Sequence, residues 1–332
     1  MGTRIKKIAY ILPSNILTNE MLSAEFPNWT PEKIEEKIGV RQRHVVAENE
    51  TAADLAFQAA EKVLLATDKN EIDFLLLCTQ SPDYFLPTTA CMLQDKLGLR
   101  KNIGALDYNL GCSGFVYGLA LAKGLISGGL ASKILLITAE TYSKHLHHKD
   151  KGNRTIFGDA AAATIIEKSE DEAILNFELG TDGSGYANLI VTNGGLRNRK
   201  IGTNEIRKDE SGEPIYLDNL YMNGPEIFNF TISNVPKMLK VVLAKNELQP
   251  EDIDFYIFHQ ANKYMLDYLR KKAKIEESKF YSNMLETGNT VSSTIPIALA
   301  NSIEQGLVKK GDKIMLAGFG VGYSWGACII KL

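Results

Sequence analysis

The sequence predicts a layered α/β fold made of two similar halves. Along its 332 residues, short runs rich in Leu, Ile and Val alternate with segments of helical periodicity. Apolar runs that lack strict alternation are typical of strands covered on both faces. Two stretches of the chain also repeat the same order of strand, helix and strand. Together these observations favour a duplicated α/β fold.

Capping residues mark two helix starts between the predicted strands. Thr51 with Asp54 three positions later predicts a capping box, and Thr30 followed by Pro31 predicts an N-cap with proline at the first helical position. The predicted buried strands cover residues 72–78, 133–138, 162–167, 253–258 and 313–317.

Matching strands make the repeat visible. An IDF sequence begins at Ile72 and again 181 positions later at Ile253, and a KI sequence begins at Lys133 and again 180 positions later at Lys313. Because βαβ units resemble one another in many proteins, a chance likeness is the alternative explanation.

The charged stretch 168–173 lies between the two repeats, so we predict one half at 1–170 and the other at 171–332. From 194 to 224 the chain turns polar and rich in Gly, Asn and charged residues. A long surface excursion is expected there, and such loops in compact domains tend to be functional or mobile.

Composition excludes several classes of protein. The net charge of −3 argues against nucleic-acid binding, and four cysteines without a CxxC pair do not make a disulfide framework. Residues 1–15 lack the apolar core of a secretion signal, and no stretch approaches about 18 uninterrupted apolar residues. We therefore expect a cytoplasmic protein that does not insert into a membrane.

Cys112 stands where a strand-like run ends and a long apolar helix begins. The N–H groups and the dipole at a helix N-terminus stabilise a thiolate and can lower the pKa of a thiol. Gly114, Gly118 and Gly124 in this helix favour a buried helix with closely packed neighbours. The alternative for Cys112 is a small core residue. That fate is predicted for the other cysteines, Cys78, Cys91 and Cys328.

His259 directly follows the apolar run 253–258, at the carboxyl end of a predicted strand, where α/β sheets gather ligands. A structural histidine is the alternative. The other four histidines are predicted to lie in solvated or surface segments and to bind no metal, since only Asp150 accompanies them as a potential acidic ligand. These histidines are His44, His145, His147 and His148.

Asn289 lies in the loop that corresponds, within the repeat, to the loop presenting Cys112. The two turns would therefore face each other, one offering a thiol and the other an amide; helix capping is the alternative for Asn289. The segment from Gly318 to Gly322 ends the last predicted strand. Its glycines can expose backbone N–H groups to a developing oxyanion, and a simple hairpin turn is the alternative.

Several of these motifs resemble those of the β-ketoacyl-acyl carrier protein synthase III family, condensing enzymes of the thiolase superfamily. The resemblance runs from residue 5 to residue 332. It implies a five-layered αβαβα fold and a decarboxylative Claisen condensation that starts fatty-acid synthesis or serves a related pathway. The motifs are GCSGF from Gly111, HQAN from His259, GNT from Gly288, GFGVGYSWG from Gly318, GVRQRHVVAENET from Gly39 and FGDAAAA from Phe157.

The resemblance also implies roles for individual residues. Cys112 is the acylated nucleophile, and His259 and Asn289 form the decarboxylation pair. The backbone N–H of Cys112 and one from the segment Gly320, Val321 and Gly322 hold the oxyanion. Phe157 and Phe319 are expected to contact substrate. No metal or redox cofactor is implied, and a homodimer that works with acyl carrier protein and acyl-CoA or acyl-carrier thioesters is expected.

The chain departs from the family at positions that contact coenzyme A. Lys33 and Lys37 occupy positions where the family usually has Trp and Arg, and Trp29 is one helical turn away. Lys151 matches another Arg that contacts coenzyme A. We expect Lys37 and Lys151 to bind substrate, although these changes weaken the case for acetyl-CoA.

Two further departures concern the carrier protein and the acyl primer. Tyr264 stands at the basic position implicated in carrier docking, next to Lys263, and Leu86 replaces the Phe that commonly precedes Pro87 in the primer-gating loop. We expect Lys263 and Leu86 to take part in binding, and a primer pocket wider than in acetyl-specific enzymes.

Three other functions are compatible with parts of this pattern. The first is a synthase III-like acyltransferase of secondary metabolism that uses a longer or carrier-bound donor without decarboxylation. The order Cys, His, Asn also occurs in papain-like proteases, although the sequence around Cys112 does not fit them. The third is a non-catalytic member with a buried, inert Cys112.

Overall fold

The computed structural model describes residues 2–202, 205–208, 212 and 214–332. Its α-helices are α1 Asn19–Glu25, α2 Pro31–Ile38, α3 Ala52–Leu64, α4 Thr89–Lys96, α5 Gly114–Ser127, α6 Lys151–Ile156, α7 Gly224–Lys245, α8 Lys263–Lys272 and α9 Thr294–Glu304. Its strands are β1 Gly2–Ile11, β2 Asn15–Thr18, β3 Gln42–Val45, β4 Phe74–Cys78, β5 Gly104–Tyr108, β6 Lys133–Glu140, β7 Ala160–Ser169, β8 Ile174–Thr181, β9 Leu189–Val191, β10 Ile206–Lys208, β11 Pro214–Tyr216, β12 Leu220–Met222, β13 Phe255–Phe258, β14 Phe280–Tyr281, β15 Lys313–Gly320 and β16 Ser324–Lys331.

Two five-stranded sheets with one topology confirm the predicted repeat. The first sheet has the order β1-β7-β6-β4-β5, and the second has the order β8-β16-β15-β13-β14. In each, three strands are parallel, and an antiparallel strand separates them from the outer strand that opens the half. The first sheet lies within 2–169 and the second within 174–331. The division of the chain at residue 170 stays a prediction.

The structure has five layers, as expected: outer helices, a sheet, the central helices, the second sheet and further outer helices. Successive side chains along a strand point into the layers on opposite sides of its sheet. Leu75 and Leu77 of β4 pack in a cluster with α3 and α4, whereas Leu76 packs with α5 and α9 in the centre of the molecule. In β13, Ile257 joins the same central cluster and Tyr256 joins the cluster of α7 and α8. The two sheets therefore enclose α5 and α9, which brings the starts of these helices together.

The local signals behave largely as predicted. Thr51 and Asp54 form the capping box of α3, and Thr30 caps α2 with Pro31 at its first position. In α5, a Cβ on Gly118 would lie 2.3 Å from the Tyr108 hydroxyl. Glycine is thus needed for close packing there. Gly124 contradicts the expectation, because nothing lies within 4 Å of an added Cβ.

The polar excursion 194–224 is only partly described, since residues 203, 204, 209–211 and 213 lie outside the described residues. Strands β10 and β11 pair with each other, and β12 pairs with β9. The end of the excursion therefore leads back into the fold, and Met222 and Gly224 line the cavity described below. Among the described residues, no helix has the length and apolar character needed to cross a membrane.

Candidate active site

Cys112 lies at the start of the central helix of the first half. It precedes Ser113, the N-cap of α5, and is 7% exposed. The hydroxyl of Ser113 is 2.6 Å from that of Ser324 on β16, so a buried hydrogen bond ties this helix start to the second sheet. A Cβ on Gly114 would lie 2.3 Å from the sulfur of Cys78, the last residue of β4. Glycine at position 114 therefore allows the turn to pack closely against β4.

The turn between β15 and β16 covers the thiol. Gly320 pairs with Ser324, so this segment is a hairpin turn as well as a cover for the cysteine. A Cβ on Gly320 would lie 2.8 Å from the Cys112 sulfur. The backbone N–H groups of Cys112 itself and of Val321 lie close enough to that sulfur to favour its thiolate. Within the predicted segment that ends at Gly322, Val321 is thus the residue whose N–H reaches the sulfur.

His259 directly follows β13, and three neighbours hold its ring. Its Nδ1 is 2.7 Å from the hydroxyl oxygen of Thr294, and its Nε2 is 3.5 Å from Nδ2 of Asn289. Phe319 packs edge-on, with ring centroids 5.8 Å apart. The backbone N–H of His259 donates to the carbonyl of Ala317 at 2.8 Å, which fixes the residue at the end of the sheet.

Hydrogen bonds to backbone groups hold both the side chain and the main chain of Asn289. Its Oδ1 accepts from the N–H of Val291 at 2.9 Å, which turns Nδ2 toward His259. Its own N–H donates to Ile156, and its carbonyl accepts from Gly158, so the turn is anchored to the first half. Asn289 does not cap α9, because Ser293 occupies the N-cap position.

One cavity unites the three predicted catalytic side chains. Cys112, His259 and Asn289 all line a cavity of about 80 Å³, as do the predicted substrate residues Phe157 and Phe319. Most of the remaining lining is apolar and comes from segments around β9, β12, α7 and α8. It includes Ile156, Leu189, Met222, Ile227, Thr231 and Met265.

Burial dominates the electrostatics of this site. It lowers the pKa of His259 to about 3, so the imidazole is neutral. Burial and the nearby Glu140 raise the pKa of the Cys112 thiol to about 12, despite the two backbone N–H groups. The expectation of a lowered thiol pKa is thus wrong, because desolvation of the thiol outweighs the effect of the helix start.

Sequence reasoning missed Glu140, a fully buried carboxyl at the end of β6. Its Oε1 accepts from the hydroxyl of Ser292 at 2.8 Å, and its Oε2 accepts from the backbone N–H of Gln80 at 3.0 Å. Burial raises the pKa of Glu140 to about 8. His259 was selected as a candidate because it is a polar residue at the end of an apolar strand. The same criterion applied to the apolar run that begins at Lys133 would have identified Glu140.

Arg43 is a second buried residue that the sequence did not reveal, in a segment predicted at the surface. Its guanidinium donates to Asn19 Oδ1, to the Leu17 carbonyl and to the Thr155 carbonyl. Burial lowers its pKa to about 10. His44 beside it is half-buried, with Nδ1 2.6 Å from the Pro13 carbonyl oxygen, so the predicted surface position is wrong.

Four predicted substrate residues lie outside the cavity lining. Leu86 is 82% exposed, and the lysines Lys37, Lys151 and Lys263 are also exposed. The ammonium group of Lys37 lies 5.9 Å from the ring centroid of Trp29, and that of Lys33 lies 5.6 Å from it. Their roles in substrate binding stay predictions.

Two minor expectations need correction. Cys91 is exposed and is not a core residue, whereas Cys78 and Cys328 are buried. The histidine segment is not fully solvated, because His145 is half-buried against Tyr142 and His147 stacks on Tyr216 with ring centroids 3.5 Å apart. Within the described part of the chain, no group of three or more His, Cys, Asp or Glu residues is placed to hold a metal ion.

Comparisons with known proteins agree with this architecture. The family model described as 3-oxoacyl-[acyl-carrier-protein] synthase III matches residues 106–183, and the model of its C-terminal part matches residues 243–332. The β-ketoacyl-[acyl-carrier-protein] synthase III of Clostridium perfringens is 39% identical over 323 residues, covering 96% of both chains. That of Streptococcus agalactiae is 38% identical and covers 99% of both.

Solved structures agree as well. A crystal structure of a 3-oxoacyl-(acyl-carrier-protein) synthase III superposes with a TM-score of 0.97 at 48% identity, over 100% of both chains. The 3-oxoacyl-(acyl-carrier protein) synthase from Burkholderia xenovorans has a TM-score of 0.93 at 35% identity, over 100% of this chain and 94% of that one.

The duplicated fold, with a cysteine at one central helix start and a histidine–asparagine pair facing it, defines a thiolase-fold condensing enzyme, an acyltransferase. The likeness extends over nearly the whole length of the relatives. The chain belongs to the β-ketoacyl-acyl carrier protein synthase III family, the condensing enzymes that initiate fatty-acid synthesis.

Proposed function

We propose that Cys112 carries an acyl primer and that this primer condenses with malonyl-acyl carrier protein, giving a 3-oxoacyl-acyl carrier protein and CO₂. The observation that carries this proposal is the single cavity in which Cys112, His259 and Asn289 meet beneath the N–H of Val321. The cavity thus brings together a nucleophile, two side chains that can stabilise an enolate, and an N–H group that can stabilise an oxyanion.

Acylation comes first. The Cys112 sulfur attacks the carbonyl carbon of an acyl thioester, and the carbon–sulfur bond to the donor thiol breaks. The donor leaves as a thiol with the proton that Cys112 loses, so no net proton is consumed. The N–H groups of Cys112 and Val321 stabilise the oxyanion of this step, and one such donor contributes about 3–4 kcal/mol in related sites.

Decarboxylation follows at the histidine and the asparagine. The malonyl carboxylate leaves as CO₂, and its bonding electrons form an enolate whose oxygen accepts from His259 and Asn289. The tautomer that serves this step has the proton on Nε2. The Thr294 hydroxyl, which lies 3.0 Å from the Val291 carbonyl and 2.7 Å from Nδ1, then turns from that carbonyl to donate to Nδ1. A neutral imidazole is the form that burial enforces.

Carbon–carbon bond formation completes the cycle. The enolate carbon attacks the acyl carbon on Cys112, and the same two N–H groups hold the new oxyanion. Collapse of that intermediate expels the Cys112 thiolate, which takes up one proton. The raised pKa of the thiol favours this protonation. All groups that these steps use are side chains and backbone of this chain, so we assign it no metal or redox cofactor.

We further propose that the enzyme is a cytoplasmic homodimer. Tyr84, Phe85 and Leu86 are three consecutive large side chains exposed by 60%, 80% and 82%. A second copy of the chain that covers this segment would remove its apolar side chains from water. The free thiols of Cys78 and Cys112 fit a reducing compartment. A monomer in light scattering would contradict the dimer.

The carrier protein and coenzyme A are proposed to approach from the exposed basic residues Lys37, Lys151 and Lys263. Acyl carrier protein is the partner that the relatives' names imply. A panel of acyl thioesters of different length determines which primer the enzyme accepts. A strict preference for acetyl-CoA would contradict the proposed wider pocket.

Intact-mass spectrometry after incubation with a mixed pool of acyl thioesters tests the first step. We expect one acyl adduct on the wild type and none on Cys112→Ala. A wild type without an adduct would contradict the proposal. Malonyl thioester labelled with carbon-13 at the free carboxyl tests the second step, because acyl transfer without decarboxylation, the alternative function, releases no labelled CO₂.

A further inference from the structure

Glu140 carries a buried carboxyl group to which the reaction steps proposed above assign no role. It forms no ion pair with any described residue, although an isolated buried carboxylate is costly. Its partners come from both halves of the molecule. The backbone N–H of Gln80 belongs to the first half, and the hydroxyl of Ser292 belongs to the turn that leads into α9.

Ser292 connects this carboxyl to the decarboxylation pair. It lies between Asn289, whose Oδ1 accepts from the adjacent Val291 N–H, and Thr294, whose hydroxyl contacts His259. A Cβ on Gly114 would lie 3.5 Å from Cβ of Ser292, so the turn also rests on the helix start that presents Cys112. Glu140 therefore holds the segment that orients both enolate stabilisers.

The surroundings of Glu140 favour its neutral form. The titratable groups whose charges interact with it are all neutral or acidic, and they come from β4, β5, the start of α5, the end of β6 and the segment before β7. They are Cys78, Tyr108, Cys112, Tyr142 and Asp159. Burial raises the pKa of Glu140 to about 8, which agrees with a neutral carboxyl in neutral solution.

A neutral Glu140 fits its partners in one orientation. Oε2 must accept from the N–H of Gln80, so the proton of the neutral acid lies on Oε1. The Ser292 hydroxyl, 2.8 Å away, then turns its own proton aside and accepts from Oε1. The ionised form accepts from both partners and adds a negative charge near Cys112. The condensation itself develops negative charge on the acyl oxygen and on the enolate.

We propose that the neutral carboxylic acid of Glu140 is a positioning residue of the condensation, which clamps Ser292 against Gln80 and holds Asn289 and His259 in register with Cys112. Its ionisation in alkaline solution adds charge next to the developing anions and switches the reaction off. This inference rests on the function proposed above.

Glu140→Gln tests the proposal, because an amide reproduces the neutral acid, with one acceptor for Gln80 and one donor for Ser292. We measure kcat of wild type and variant with saturating acyl and malonyl thioesters between about pH 6 and about pH 10. The ratio of the two kcat values cancels the titration of every group whose pKa does not depend on the charge of Glu140. We expect a ratio near one in acid, with the variant about 10-fold faster one pH unit above the carboxyl's titration.

Matched variants separate positioning from simple packing. Glu140→Ala cannot hold either partner, and we expect kcat to fall about 100-fold at every pH. Asp159→Asn changes another buried carboxyl to an amide. It should retain the alkaline loss of activity, displaced to lower pH because the Asp159 charge raises the pKa of Glu140.

A constant ratio of Glu140→Gln to wild type across the pH range would overturn the proposal, as would a variant as slow as Glu140→Ala. If Glu140→Gln fails to fold, infrared spectra of the wild type decide: the protonated-carboxyl band should vanish as the pH rises through about 8, and its absence in neutral solution overturns the proposal. A wild type that neither acylates Cys112 nor releases CO₂ would instead refute the proposed function.

Discussion

Gly320 lies directly against Cys112: a Cβ at position 320 would be 2.8 Å from the sulfur and 2.9 Å from Cβ of the cysteine. Both distances are shorter than the van der Waals separation that a carbon atom keeps from a non-bonded sulfur or carbon atom. The hairpin between β15 and β16 can therefore place the N–H of Val321 on the sulfur only while residue 320 has no side chain.

Gly320→Ala should displace either the sulfur or the hairpin. We expect the rate of Cys112 acylation to fall about 100-fold, because the thiol and its N–H donor lose their alignment. Overpacking should also lower the free energy of unfolding by about 1–3 kcal/mol. Time-resolved intact-mass spectrometry and denaturant titration measure the two effects.

Gly124→Ala is the matched control. Gly124 lies in α5, the helix that begins beside Cys112, and nothing lies within 4 Å of an added Cβ. The substitution should raise stability by about 0.5–1 kcal/mol through helix propensity and leave the acylation rate unchanged. If both alanine variants acylate at the wild-type rate, the contact at Gly320 does not restrict the site.

Asn289→Asp should separate the two halves of the reaction. The aspartate oxygen still accepts from Val291, so the turn keeps its anchor, but the cavity loses one N–H donor and gains a negative charge. We expect release of labelled CO₂ to fall by about 10²–10³. Acylation of Cys112 should change by no more than a few-fold, and an equal loss in both steps would contradict the assigned role.

The fold was predictable because its signals are local or repeated. Thr51 and Thr30 mark helix starts through their own side chains, and the matching runs at Ile72 and Ile253 revealed the duplication. Once the duplication was known, the meeting of Cys112 with Asn289 followed from the equivalence of the two turns.

The environment of the site was not predictable in the same way. The pKa of Cys112 depends on desolvation by distant segments and on Glu140, neither of which a helix-start argument contains. Val291 has a φ of 55°, which the sequence would not suggest because branched side chains disfavour this region. Arg43 looks like a surface residue in its sequence and is buried only because polar groups from three segments surround it.

Alkylation by iodoacetamide should report the raised pKa of Cys112. In a Cys91→Ser background, which removes the exposed thiol, we expect Cys112 to react slowly in neutral solution because the thiolate is the nucleophile. The rate should rise about tenfold per pH unit while the thiol stays mainly protonated. Peptide mass spectrometry follows the modification.

The same experiment on Glu140→Gln tests the electrostatic link between Glu140 and Cys112. Once the pH exceeds about 8, the wild-type carboxylate raises the pKa of the thiol, whereas the amide does not. The variant should therefore react faster than the wild type in alkaline solution and at the same rate in acid. Parallel rates throughout would show that the charge of Glu140 does not reach the sulfur.

Glu140 should also make stability depend on pH. Its pKa is about 8 in the folded protein and 4.5 for a free side chain, so between these values the folded state holds a proton that the unfolded state has released. The folded state binds more protons there, and the free energy of unfolding must fall as the pH rises, by about 1.4 kcal/mol per unit. The loss ends once Glu140 ionises in the folded state.

Glu140→Gln removes this titration and should be more stable than the wild type in mildly alkaline solution. Relative to its value near the unfolded pKa, the stability difference should grow with pH and level off at about 3–5 kcal/mol when the pH passes the folded pKa. Urea titrations at a series of pH values measure it, with Asp159→Asn as a control that retains the Glu140 slope. A difference that does not change with pH would mean that Glu140 is already ionised in the folded enzyme, and its carboxylate would then need a compensating charge that the described residues do not supply.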